Sequence, residues 1–155
     1  PRHHTAQAAA CGVGGHAAMP HLTVDPIVAA SAMVMNLQTI VSRTVSPLDA
    51  AVVSVTQFDA GSGAFNVIPD AASLKGTIRA FSTEQLLTLR DRVQHIIAQT
   101  ASTHNCNATI SYSPDYYPVT YNDPWLYKTI GKNVGELVGD EFTEVEPTMG
   151  AEVSC

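Results

Sequence analysis

A histidine stands directly behind three glycines in Gly12-Val13-Gly14-Gly15-His16, and Ala17-Ala18-Met19-Pro20-His21 follows. Glycine lets a chain take positive φ and lets another group approach the backbone closely. An imidazole on such a loop can donate a hydrogen bond or exchange a proton near neutral pH. The same residues also suit a tight turn that feeds a helix and leaves His16 merely exposed. A catalytic metal centre needs about three converging His, Asp, Glu or Cys ligands. His16 and His21 have no local carboxylate pair and no helical H-E-x-x-H, so no complete metal site is expected within the chain.

Two further residues extend the histidine's chemistry to anion recognition. Residues 72–81 alternate as a strand with Leu74, Gly76, Ile78 and Ala80 on one face and Lys75, Thr77 and Arg79 on the other. Arg79 is therefore expected to point away from the core, where a guanidinium can grip a carboxylate bidentately. Asn66 follows the glycine-rich segment 59–63 and offers an amide donor and acceptor. His16, Asn66 and Arg79 could converge at one edge of a sheet. Singly, Arg79 also fits a solvated strand position and Asn66 a turn former.

The elements that would position them read in order. Asp25-Pro26 starts a helix over 26–43, with Asp25 as cap and Pro26 where its missing N–H costs nothing. Ile27, Ala30, Val34, Leu37 and Val41 form its apolar stripe. Residues 50–58 are β-branched and alternate as a strand, and Asn66–Asp70 is a short extended piece. Ser82-Thr83-Glu84-Gln85 is a capping box opening a helix over 83–102, with His95 on its solvated flank. A strand at 107–112 follows, and a poorly signalled strand at 7–13 must precede the glycine loop. The order is βαββαβ, a ferredoxin-like four-stranded antiparallel sheet with two helices on one face. His3 and His4 read as solvated residues of an ill-defined N-terminal piece, 1–11. Beyond residue 113, a connector, a helix from Asp123-Pro124 to Gly139, a short strand at 142–145 and a loop at 147–152 resemble the start of a second, α/β unit.

Composition narrows the function classes. The 155 residues are 45% apolar and carry a net charge of −6, with eight Lys and Arg scattered rather than clustered. Nucleic acid is thereby disfavoured, as are aromatic RNA platforms, because the exposed strand positions are Lys75, Thr77 and Arg79. No apolar run reaches the roughly 20 residues of a membrane span. Cys11, Cys106 and Cys155 are far apart and odd in number, so a reducing, cytoplasmic compartment is the default. The chain begins at Pro1 and stops at Cys155, and both ends read as cut.

GVGGHAAMPH with a following DP, then FNVIPDAASLKGTIRAF, then PTMGAE, resemble in type and order the zinc-dependent aminoacylase and glutamate-carboxypeptidase family. The similarity runs from residue 12 to 152 and lies nearest the hippurate and indole-3-acetyl-amino-acid hydrolase branch. It implies that 12–113 is a lid that forms a homodimer and 114–155 a truncated return into the catalytic domain. It implies a metal-dependent amidohydrolase acting on N-acyl amino acids or small peptides, using zinc or manganese held by segments absent here. It also implies that His16 reaches into the partner's site to hold the oxyanion, and that Asn66 and Arg79 bind substrate, Arg79 through its carboxylate. Val153-Ser154-Cys155 departs from the family's usual continuation. The chain alone is expected to hold no catalytic metal and to hydrolyse nothing. A non-catalytic dimerisation or small-molecule-binding module is the alternative.

Overall fold

Two capping residues set the helices. Asp25 accepts hydrogen bonds from the Ile27 and Val28 N–H groups, at 2.8 and 3.4 Å, and Ser82 Oγ accepts from Gln85 N–H at 3.1 Å. In the computed structural model, which describes residues 2–61, 63–114, 123–139 and 143, β1 is Arg2–Cys11 and β2 Gly15–His16. Then come α1 (Pro26–Thr39), β3 (Ala51–Ala60), β4 (Val67–Ile68), β5 (Ala71–Ala80), α2 (Thr83–Thr103), β6 (Asn107–Tyr112) and α3 (Pro124–Val138). The long strands form one antiparallel sheet in the order β3-β5-β1-β6. Together with α1 and α2 on one face, that is the expected ferredoxin-like α+β arrangement.

The core lies between this sheet and α1 and α2. Ala8 and Ala10 of β1 and Ala72, Leu74, Ile78 and Ala80 of β5 meet Met33, Leu37 and Ile40 from the α1 side and Leu86, Leu89, Val93 and Ile97 of α2. Alanines on the central strand let the helices come close. They also explain why β1 is poorly signalled, since alanine has little strand preference of its own.

Three expectations need correction. The strand placed at 7–13 runs over 2–11 and is central, hydrogen-bonded to β5 and β6, so residues 2–11 belong to the sheet and residue 12 is no boundary. His4 is buried at 7% exposure instead of solvated. On α1 the buried positions are Pro26, Ala29, Ala30, Met33 and Leu37, rather than a stripe through Ile27 and Val34. The helix is apolar around much of its circumference, which blurs the periodicity, and Val28 and Met35 remain exposed on its outer side. After Thr39 the helix unwinds through a π turn, Ile40–Thr44.

The burial of His4 has a pH consequence. Its ring meets Tyr112 edge-on at 6.1 Å, and the Arg90 guanidinium lies 5.2 Å from the Tyr112 ring centre. The Tyr112 hydroxyl donates to the Arg90 carbonyl at 3.0 Å, and burial raises its pKa to about 12. Burial first, and the Arg90 charge second, hold the His4 pKa below its ordinary 6.5. A lowered histidine pKa means that the unfolded chain binds the proton more tightly, so stability falls as pH drops below about 6.5. His3 shifts the same way, through burial and then Arg79. Thermal melts from pH 7.5 to 5.5 should show a falling Tm, and His4→Phe should flatten the fall. An equal fall in the variant would contradict this account.

α3 is capped by Asp123, ends at Gly139 with φ +58, and carries exposed Trp125, Leu126, Ile130 and Leu137. The strand expected at 142–145 and the loop at 147–152 lie outside the described residues, as does the connector 115–122. Among the described residues no helix is long and apolar enough to cross a membrane.

Candidate functional site

The glycine loop forms one strand of a short ribbon beyond the end of the main sheet. Gly15 pairs with Ile68 and His16 with Val67. Ala17 N–H donates to the Asn66 carbonyl at 2.9 Å. Asp70 anchors the other end: its carbonyl accepts from Gly12 N–H and its carboxylate Oδ1 from Gly14 N–H, both at 2.8 Å. The glycines are needed for close approach, and none of Gly12, Gly14 and Gly15 takes positive φ. A Cβ at Gly12 would lie 2.0 Å from the Val24 carbonyl oxygen, and one at Gly14 would lie 2.6 Å from that of Ile68. Both contacts are with backbone, so neither clash could be relieved by a side-chain rotation.

This ribbon fixes the imidazole. Ala18 N–H donates to His16 Nδ1 at 3.1 Å. An amide nitrogen can only donate, so Nδ1 carries a lone pair and the ring proton sits on Nε2. His16 is exposed, and its Nε2–H is a donor open to a ligand. Asn66, also exposed, is tied to the residue after His16. The structure therefore brings His16 and Asn66 together.

Arg79 is elsewhere. It sits near the far end of β5, in register with His3 and Val52, on the sheet face away from the helices. Eight steps along the strand separate it from Ala71, about 27 Å at the usual rise. Within one chain it does not join His16 and Asn66. The residue that sequence reasoning missed is Asp70, which appears there only as the end of a short extended piece. The signal was its place after Pro69, where a short acceptor side chain meets backbone donors.

Among the described residues, no group of three His, Cys, Asp or Glu converges. They do not fit a metal ion.

Fold and ribbon define the class: a ferredoxin-like α+β domain presenting a histidine and an asparagine beyond one end of its sheet. The chain belongs to the M20 peptidase dimerisation domain family, whose model, described as a peptidase dimerisation domain, matches residues 4–105. It is 44% identical over 145 residues to the IAA-amino acid hydrolase ILR1-like 4 of Arabidopsis thaliana, covering 91% of this chain and 33% of that protein. It is 40% identical over 141 residues to the N-acetyldiaminopimelate deacetylase of Bacillus subtilis, covering 91% and 37%. A solved aminohydrolase from methicillin-resistant Staphylococcus aureus superposes with a TM-score of 0.72 at 33% identity, over 89% of this chain and 35% of that one. The chain thus spans about a third of the length of the curated relatives it matches.

Proposed function

We propose that this chain is the lid and dimerisation segment of a metal-dependent amidohydrolase that cleaves the amide bond of N-acyl amino acids or small peptides. The observation that carries the reading is the ribbon that fixes His16 with Nε2–H as donor beside Asn66. Such a donor stabilises the oxyanion that forms when an amide carbonyl is attacked. Arg79 supplies a bidentate partner for the amino acid's carboxylate. The names of the relatives, an IAA-amino acid hydrolase and an N-acetyldiaminopimelate deacetylase, favour the same substrate class. The metal, which we read as zinc or manganese, belongs to the complete enzyme rather than to the described residues.

The separation of Arg79 from His16 favours a two-fold homodimer. β3 is an edge strand of ten residues, hydrogen-bonded to β5 alone. A groove of about 700 Å³ runs beside it, lined by Ser31, Val34, Met35 and Gln38 of α1 and by residues 54–58. Exposed Met35 and Phe58 make that side apolar. An unpaired strand edge beside apolar side chains is a template for a second strand. Pairing two β3 strands antiparallel about a two-fold axis reverses one sheet against the other. His16 and Asn66 of one chain then stand at the same end of the joint sheet as the partner's Arg79.

The test is release of free amino acid from N-acyl amino acids by the full-length protein loaded with zinc or manganese. Metal-dependent release, abolished by a chelator, is expected. No release from any such substrate with either metal would contradict the reading and leave the chain a dimerisation or small-molecule-binding module.

A further inference from the structure

β5 carries a second cation on the sheet face that bears Arg79. Lys75 and Arg79 are four steps apart along the strand, roughly 13 Å at the usual rise. Gln7 of β1 and Gln57 of β3 stand directly opposite Lys75 on either side, and Ser111 of β6 lies beyond Gln7. Thr5 and Thr77 form the next row. Cross-strand partners share a face, and the intervening Ala8, Leu74, Ile78 and Ile110 pack toward the helices. The polar side chains therefore stand together on the open face.

A bulge deforms the sheet at this place. Val55 pairs with Gly76 and Gln57 with Lys75, which leaves Thr56 as an extra residue of β3. Such a bulge bends its strand, increases the local twist and re-aims side chains. Thr56 Oγ1 donates to the Lys75 carbonyl at 3.4 Å. A Cβ at Gly76 would lie 2.4 Å from the Ser54 carbonyl oxygen, so the close approach of the two strands requires glycine there. A cavity of about 440 Å³ opens on this face, and Lys75, Gln7, Gln57, Ser111, Thr5 and Thr77 all line it.

The lining selects the occupant. Among the described residues no carboxylate lines the cavity, although the chain has 14 Asp and Glu against 8 Lys and Arg. Asp59, one row along β3, accepts a hydrogen bond from Gln57 Nε2. Lys75 forms no ion pair among the described residues, so its ammonium is available to a ligand. The hydroxyls of Thr5 and Thr77 and the amide of Gln7 can each donate to an oxygen. A cationic ligand would meet the ammonium, and an apolar one would strip water from these groups without replacing it. We propose that this cavity binds a small molecule bearing a phosphate or carboxylate group, with its oxyanion on Lys75 and its polar remainder on Thr5, Gln7 and Thr77. Hydrogen bonds from a charged donor to an oxyanion are the strong ones, so Lys75 carries most of the affinity. The proposal stands independently of the reading of His16 as an oxyanion donor.

The experiment is calorimetric titration of the full-length, metal-loaded protein with inorganic phosphate and, separately, with succinate, at an ionic strength held constant with chloride. Lys75→Gln, Thr5→Val and Arg79→Ala variants are titrated alongside. Lys75 and Thr5 are both exposed, so their replacement leaves the core intact. Saturable binding of at least one of the two anions is expected, and the tighter of them identifies the oxyanion. Lys75→Gln should weaken it by about ten-fold or more and Thr5→Val by about three-fold or more, while Arg79→Ala changes it by less than about two-fold. Binding of neither anion would overturn the proposal and leave this face merely solvated. Binding that Arg79→Ala abolishes and Lys75→Gln spares would overturn it too, by assigning the anion to the Arg79 end of the strand. An affinity that neither Lys75→Gln nor Thr5→Val moves would place the anion elsewhere in the protein and equally refute the site.

Discussion

Replacing His16 with alanine in the metal-loaded, full-length enzyme is expected to lower kcat by about 10²- to 10³-fold, the loss typical of removing one oxyanion donor. KM and metal content should change little. The argument is geometric. Ala18 N–H occupies Nδ1 at 3.1 Å, so the ring has one tautomer and one donor to offer. The donor is positioned by backbone bonds on both sides: Gly14 and Gly12 to Asp70, and Ala17 to the Asn66 carbonyl. A donor fixed before the reaction loses no orientational freedom as charge develops, which is why a single one has so large an effect. Metal analysis of the variant separates the roles. If metal is lost along with activity, His16 is a ligand and not an oxyanion donor.

Arg79→Ala should instead act on substrate binding, raising KM by about 10- to 100-fold, the range for losing a hydrogen-bonded charged partner. Arg79→Lys should recover only part of this, because an ammonium keeps the charge but loses the planar fork. The discriminating control is a substrate whose terminal carboxylate is converted to a carboxamide. That substrate should bind poorly to the unaltered enzyme and be nearly indifferent to Arg79→Ala. If both substrates weaken alike, Arg79 supports the sheet through its neighbours His3 and Val52 rather than reading the carboxylate.

Much of this fold is written locally. Asp25-Pro26 and Ser82 mark helix starts because a cap and its N–H partners lie within three residues of each other. β5 and β6 show because their alternation matches the two faces of the sheet. What escapes such reading is non-local. The placement of β1 at the centre depends on pairing with strands about 70 and 100 residues away, and its alanines reveal only that something packs closely. The buried face of α1 is ambiguous because Val28 and Met35 are apolar yet exposed, Met35 beside the open edge of β3. The site was legible in its parts. His16 stands out by its glycines, Asn66 by the turn and Arg79 by its strand face. Their separation was implicit too, since the strand read at 72–81 already puts Arg79 far from Asp70. Convergence of all three within one chain is therefore ruled out by strand length alone.

The central claim is that His16 of one chain and the partner's Arg79 serve the same site, and complementation tests it most directly. His16→Ala and Arg79→Ala proteins, each nearly inactive alone at low substrate, are mixed, exchanged through dissociated monomers and assayed. In a heterodimer of the two, one site has both residues intact and the other has neither. Mixed dimers make up half of a statistical exchange, so activity should return to about a quarter of the unaltered enzyme. If both residues served the site of their own chain, every site in the mixture would stay defective. Activity would then remain at the level of the separate variants, and the shared-site account would be wrong.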